Sequence, residues 1–265
     1  MEGPIGIIDS GVGGLTVVKE LRSRLPKESI IYIGDDKRCP YGPRPAEEVR
    51  QFTIEMASAL SKMGIKMLVI ACNTATAVAL DDIRELFDFP VVGVIVPGAR
   101  AAVTTSTTGK IAVLGTIGTI KSGAYSMEIA RQSPTATVFP LACPEFVPLV
   151  ESGQYKSDHA STTVDQTLSK LAGNDFDTAI LGCTHYPLLE HHIKKSLPAH
   201  VKVISSAVET VHDVERELIE RNLVHETTHP VEPIFYTTGL RMAFHDIVCD
   251  WLFIENPDVR QLTLT

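Results

Sequence analysis

The chain carries one pattern twice. GPIGIIDS (3–10) lines up with GKIAVLGT (109–116) at an offset of 106 residues, and VIACNT (69–74) lines up with AILGCT (179–184), with Cys72 and Cys183 111 residues apart. Two nearly equal offsets, each carrying an apolar run into a small or polar residue, imply an internal duplication. A chain of 265 residues has room for two modest domains with cores of their own.

Each copy alternates strand-like and helix-like periods. IGIID (5–9) precedes a stripe of Leu15, Val18, Leu21 and Leu25 that Pro26 stops. IIYIG (30–34) follows, and Pro45 then opens a helix carrying Val49, Phe52, Met56, Ala59 and Met63, ended by Gly64. MLVIA (67–71), a helix through Leu86 and VVGVI (91–95) close the first copy. The second runs through IAVLG (111–115), TATVF (135–139), TAILG (178–182) and VKVIS (201–205). Alternation of this kind predicts an α/β fold of two pseudosymmetric domains, with mostly parallel sheets flanked by helices. PIFYTTG (233–239) and its helix come after the second copy and are expected to complete the first domain. The expected division is 1–96 plus 210–265 against 97–209, with VHETTHPVEP (224–233) as a loop.

Ligands of open parallel sheets bind beyond the carboxyl ends of the strands. Asp9-Ser10, Thr116, Cys72-Asn73-Thr74 and Cys183-Thr184-His185 all fall at such ends. If the copies face each other, these loops line one cleft and the two cysteines approach a ligand from opposite sides. Five cysteines without a C-x-x-C pair argue against a disulfide framework or a thiolate metal cluster. Cys249, in the apolar FHDIVCDWLF, reads as a core residue, whereas Cys39 and Cys143 each precede a proline and stay unassigned. EHH (190–192) is not a metal-ligand spacing, and DSGVGG (9–14) lacks both the G-x-G-x-x-G order and a P-loop lysine.

Paired thiols on opposite faces suit stereoinversion at carbon. One removes a proton from one face, the other delivers a proton to the opposite face, and the reverse reaction exchanges the roles. A thiol tuned toward neutral pH serves as either acid or base. Asp9 and His185 are the candidates to assist the two thiols, one from each copy. Helices following both cysteines are expected to offer backbone N–H groups to a thiolate or a bound carboxylate.

IGIIDSGVGGLTVVKEL, CPYGPR, ACNTATA, GVIVPGARAA, LACPEFVPLVE and LGCTHYPLL, in this order over about residues 5–210, resemble the glutamate racemases of the aspartate/glutamate racemase superfamily. The resemblance implies cofactor-independent interconversion of L- and D-glutamate, supply of D-glutamate for peptidoglycan, a site between two α/β domains, and a homodimer. It implies Cys72 and Cys183 as the acid–base pair, assisted by Asp9 and His185, with Glu145 of CPEF as a supporting acid. Substrate contacts carried over are Asp9, Ser10, Tyr41, Gly42, Asn73, Thr74, Thr184 and His185, with Thr76 and Thr116 added. Val96 stands before PG, where many members carry an acidic residue or His. The N-terminal extension through which some members respond to nucleotides is not expected here.

Aspartate racemases share the paired thiols and are the nearest alternative. A two-domain amino-acid-binding module would need no thiols, and a thiol redox protein would need them to bridge. A net charge of −8 with no Lys/Arg block argues against nucleic acid or an anionic membrane as partner. The N-terminal MEGPIGIIDSG has no basic n-region, and no apolar run approaches a membrane span, so a cytoplasmic protein is expected.

Overall fold

The computed structural model describes residues 3–225 and 229–264, so Glu226, Thr227 and Thr228 of the expected spacer loop lie outside the described residues. The first copy forms β1 (Ile5–Asp9), α1 (Leu15–Arg24), β2 (Ile30–Gly34), α2 (Ala46–Lys62), β3 (Met67–Ile70), α3 (Asn73–Leu86), β4 (Val91–Gly93) and α4 (Ile95–Thr105). The second forms β5 (Lys110–Gly115), α5 (Ile117–Ser122), α6 (Ala124–Gln132), β6 (Thr137–Ala142), α7 (Phe146–Glu151), α8 (Asp158–Leu168), β7 (Thr178–Gly182), α9 (Glu190–Ser196) and β8 (Lys202–Ser205). The chain closes with α10 (Ser206–Glu220), β9 (Ile234–Thr237), α11 (Arg241–Leu252) and β10 (Asp258–Gln261).

The sheet orders make the duplication explicit. One sheet runs β10-β9-β2-β1-β3-β4 and the other β6-β5-β7-β8. The four-strand order β2-β1-β3-β4 is repeated as β6-β5-β7-β8, and every pairing is parallel. Parallel strands covered by helices on both faces carry continuous apolar runs, and every residue of β1, β2, β3 and β7 is buried. β9 and β10 extend the first sheet beyond β2, so the chain returns to its first half after completing the second.

Several boundaries differ from the sequence expectation for identifiable reasons. The run VVGVI (91–95) divides: the strand stops at Gly93, and Ile95 already belongs to α4. β6 lies at 137–142, later than TATVF, and includes Pro140, which an edge strand tolerates because its N–H is not needed on the open side. β10 carries the polar stretch DVRQ with only Val259 buried, so no alternation announced it. After Cys72 comes the expected α-helix, but after Cys183 the chain makes a 3-10 turn, Tyr186–Leu189, with Pro187 in its first turn. Proline brings no N–H and a fixed φ, so the second thiol does not sit at the head of a long helix as the first does.

The returning segment is anchored by a buried ion pair. Lys66 Nζ lies 2.5 Å from Glu28 Oε2 and donates to the Leu223 carbonyl at 2.6 Å, and Glu28 Oε1 accepts from the His225 N–H at 2.8 Å. Both side chains are almost fully buried. Removing one member leaves an uncompensated charge in a low-dielectric site. Lys66→Met should lower the urea unfolding free energy by about 3–5 kcal/mol, and adding Glu28→Gln to it should recover part of the loss. A single variant as stable as the parent would show that the pair does not anchor this segment.

Candidate active site

The site grows from the carboxyl ends of β1, β3, β5 and β7. Asp9 ends β1 and is completely buried. Its Oδ2 accepts from the Gly11 N–H at 3.1 Å, and its Oδ1 accepts from the Thr184 hydroxyl at 3.2 Å. The second bond crosses between the two halves. Burial pushes the Asp9 carboxyl up, opposed by the His185 charge, the Gly14 and Gly11 N–H groups and Thr184. Gly13 is required by close approach. A methyl group there would lie 2.4 Å from Thr184 Oγ1 and 2.6 Å from His185 Nδ1. The GVGG stretch is therefore the surface against which the second half packs.

Cys72 caps α3. Its sulfur accepts from the Ala75 N–H at 3.4 Å, and its thiol donates to Ser10 Oγ at 3.7 Å. Burial pushes this thiol up to about 12 and the Asp9 charge adds to the effect, while the Ala75 N–H and Ser10 pull the other way. Cys183, just past β7, lies 3.7 Å from His185 Nδ1. On its other nitrogen, Nε2, His185 meets Glu151 Oε1 at 2.5 Å. Burial disfavours the imidazolium, but the hydrogen bonds and negative charge of Cys183 and Glu151 outweigh it and hold His185 well above its ordinary value. Burial likewise works against the Glu151 carboxylate, and the bond and charge of His185 reverse this, holding it below the usual range. The two sulfurs are thus served by different chemistry: a hydroxyl and a helix N–H for Cys72, a His–carboxylate pair for Cys183.

The remaining expected residues mostly join the same cluster. Thr74 and Thr116 face each other across the halves with hydroxyls 2.9 Å apart, and Thr116 also caps α5 by accepting from the Thr119 N–H. Asn73 Oδ1 accepts from the Tyr125 hydroxyl at 2.7 Å, while its Nδ2 is buried without a hydrogen-bond partner among the described residues. The Gly42 carbonyl accepts from the Gly118 N–H at 2.8 Å, another tie between halves. Tyr41 is buried and its hydroxyl donates to Asp35 Oδ2, so its proton is committed there. The Thr76 hydroxyl donates to the Ile70 carbonyl at 2.9 Å and locks the turn that presents Cys72.

Glu145 is not brought to the cluster. It is exposed at the head of α7, whose other end places Glu151 on His185. Both acids lie in the quoted stretch LACPEFVPLVE, six residues apart. The choice between them depends on where α7 points. Tyr125, bonded to Asn73, and Thr119, whose hydroxyl meets that of Thr74, also join the cluster through residues from another part of the chain, which no spacing in the sequence signals. Cys143 is buried in the second core beside Phe146 and Tyr186, and Cys249 is half-buried with its sulfur 3.7 Å from His245 Nδ1. Among the described residues, no helix is long and apolar enough to cross a membrane.

The sequence model of the family described as Asp/Glu/Hydantoin racemase matches residues 5–214. The chain is 54% identical over 261 residues to a glutamate racemase of Enterococcus faecalis, covering 98% of this chain and 96% of that protein. It is 52% identical to a glutamate racemase of Lysinibacillus sphaericus over the full length of both. Among solved structures, glutamate racemase from Bacillus anthracis superposes with a TM-score of 0.95 at 44% identity, covering 99% of this chain and 98% of that one. Glutamate racemase from Francisella tularensis, solved in complex with D-glutamate, gives 0.92 at 33% identity with the same coverage. Sequence and fold agree over the whole length that carries the duplicated strands and their cysteines, and the chain belongs to the Asp/Glu/Hydantoin racemase family.

Proposed function

We propose that this protein interconverts L- and D-glutamate without a cofactor by proton transfer between substrate and the thiols of Cys72 and Cys183. The observation that carries the reading is the equivalence of the two cysteines. They follow equivalent strands of duplicated sheets, β3 and β7, and the Asp9–Thr184 bond ties the end of β1, the neighbour of β3, to the loop that carries Cys183. The full-length relatives named glutamate racemase support glutamate as the substrate. On the same reading the protein is a cytoplasmic homodimer that supplies D-glutamate for peptidoglycan.

The chemistry follows from the groups present. The buried Asn73 Nδ2, without a partner among the described residues, is a donor suited to a carboxylate oxygen, and the buried hydroxyls of Ser10, Thr74, Thr116 and Thr184 are further donors at the same strand ends. Asp9 receives the substrate ammonium. The ammonium also offsets the negative charge that raises the Cys72 thiol, easing formation of a thiolate on binding. One thiolate takes the Cα proton, and the thiol on the other face delivers its own. Ser10 and the Ala75 N–H stabilise the Cys72 thiolate, and His185, oriented by Glu151, exchanges charge with Cys183. Cys72 and Cys183 are only 5% and 6% exposed. Substrate therefore enters when 97–209 parts from 1–96 plus 210–265, and closure excludes water.

The deciding assay is racemisation of L-glutamate with no added cofactor or metal, followed by chiral separation, with L-aspartate in parallel. Turnover of aspartate in preference to glutamate would reject the substrate assignment. Cys72→Ser and Cys183→Ser should each lower kcat by roughly 10²–10⁴-fold in both directions with the fold intact, whereas Cys249→Ser should leave activity near that of the parent. Either active-site variant keeping its full kcat would eliminate the two-thiol mechanism.

Asp9→Asn and His185→Asn should affect the two directions unequally, because His185 touches Cys183 while the Asp9 charge bears on Cys72. Glu151→Gln should reproduce the directional bias of His185→Asn in weaker form, and Glu145→Gln should do nothing. The equilibrium between enantiomers cannot move, so KM must compensate any change in the kcat ratio. Equal losses in both directions for Asp9→Asn and His185→Asn would assign them to substrate binding alone.

In deuterated water, D-glutamate newly formed from L-glutamate should carry deuterium almost fully, while recovered L-glutamate carries little. The proton delivered comes from a thiol already equilibrated with solvent. Substantial undeuterated D-glutamate at early times would mean that one base serves both faces.

A further inference from the structure

Beside the acid–base cluster lie two side chains that the proposed reaction does not require, Asp36 and Cys39. The 3-10 turn Asp36–Arg38 and the residue after it bring Asp36 and Cys39 against the opposite half. Cys39 Sγ lies 3.8 Å from Glu151 Oε1, and Glu151 Oε1 meets His185 Nε2 at 2.5 Å. One ligand atom each from Cys39, Glu151 and His185 falls within 4.8 Å of the others. Asp36 stands beside these three rather than within that distance of all of them. A methyl group built on Gly11 would sit 3.2 Å from both Asp36 Oδ1 and Cys39 Sγ and 3.3 Å from Glu151 Oε1, so these three atoms converge on one point. Asp36 Oδ1 is buried and has no hydrogen-bond partner among the described residues.

We propose that Cys39, Glu151 and His185, with the Asp36 carboxylate beside them, form a binding site for a thiophilic divalent cation of the zinc type, and that filling it inhibits the enzyme. The inhibitory half rests on the racemase reading above; the binding half does not. The donor set of one thiolate, one imidazole and one carboxylate matches the three protein ligands that Zn²⁺ takes when a water fills its fourth position. Such a site sets ligand atoms about 3.3–3.8 Å apart, close to the Cys39–Glu151 separation. The His185–Glu151 contact is shorter, so Glu151 must rotate outward as the ion enters. Its side chain is 31% exposed, which gives it room to do so and opens the route from solvent. Outer partners are in place: Asp36 Oδ2 accepts from Thr237, and His185 Nδ1 faces Cys183. On binding, Cys39 releases its thiol proton and His185 its Nε2 proton to solvent, as a metal–sulfur bond and a metal–nitrogen bond form, the latter replacing the Nε2 contact to Glu151. His185 then no longer exchanges charge freely with Cys183, and turnover stops.

Cobalt(II) chloride added to the reduced, chelator-free protein tests binding, because a cobalt–thiolate bond gives a near-ultraviolet charge-transfer band. One equivalent should develop that band in the parent chain, in Cys72→Ser and in Cys183→Ser. Cys39→Ser should abolish it. Asp36→Asn should weaken cobalt affinity by about tenfold or more, a second variant that keeps the test alive if Cys39→Ser fails to fold. Zinc chloride should inhibit racemisation reversibly by chelator, and Cys39→Ser, with metal-free kcat unchanged, should need at least ~100-fold more zinc. A band that survives in Cys39→Ser but disappears in Cys72→Ser or Cys183→Ser would place the metal on the acid–base pair and overturn the proposal. Absence of any band at one equivalent would do the same. If the chain failed to racemise glutamate at all, the spectrum would still decide the metal site by itself.

Discussion

A carboxylate with no exposure to water must be held by whatever surrounds it, and Asp9 is held from both halves of the molecule. Two N–H groups of its own loop and the Thr184 hydroxyl of the opposite sheet oppose the desolvation that would protonate it. The requirement propagates outward. Thr184 can reach Asp9 only if the loop after β1 is thin, hence glycine at position 13. With the halves this close, Thr74 meets Thr116 and the Gly42 carbonyl meets the Gly118 N–H. The cleft is thus a network of hydrogen bonds between halves, and the thiols lie within it.

The duplication is stricter in the sheets than at the site. Strand order repeats strand for strand, yet the two cysteines differ in their surroundings. Cys72 takes the cap position of a 14-residue helix, while Cys183 precedes a turn containing Pro187 and relies on a side-chain pair. A helix cap stabilises thiolate through fixed dipoles and moves no proton. A histidine between thiol and carboxylate stabilises charge and can also exchange it. On the proposed two-thiol reaction, enantiomers equal in free energy do not demand equal bases, so the two faces can differ in means while keeping the same reactive atom.

How much of this the sequence disclosed follows from the range over which each feature acts. The alternation of strands and helices, the repeat, and the placing of Cys72, Cys183, Asp9, Thr184 and His185 at strand ends were legible because local periodicity and the repeat each fix a strand and its end, whereas strand order in the sheets was not. Glu145 is the acid that the resemblance implies, yet Glu151 is the one that touches His185, because only the direction of α7 separates them and Phe146 packs there against Tyr186. β10 escaped because an edge strand with one buried residue has no pattern to read. Tyr125, Asp36 and Cys39 act through partners far off in sequence, which no spacing rule reaches.

The same cause explains why two chemistries crowd one place. Closing the halves over Asp9 brings the CPYG loop of the first half against α7 and His185 of the second. The carboxylate that orients His185 therefore stands beside a thiol that catalysis does not call on. Burial and neighbouring acids push the Asp36 carboxyl up to about 7 despite the Thr237 hydrogen bond, because Glu151, Asp9 and Asp35 crowd it with negative charge. Only part of this charge is matched nearby, by Arg38 on Asp35 and by His185 on Glu151. A site that receives an ammonium, as proposed for Asp9, needs buried anions, and their surplus is the electrostatic condition under which any small cation is held. Selectivity for the amino-acid substrate must then come from the hydroxyl and amide donors on the other side of Asp9, which a bare cation cannot use.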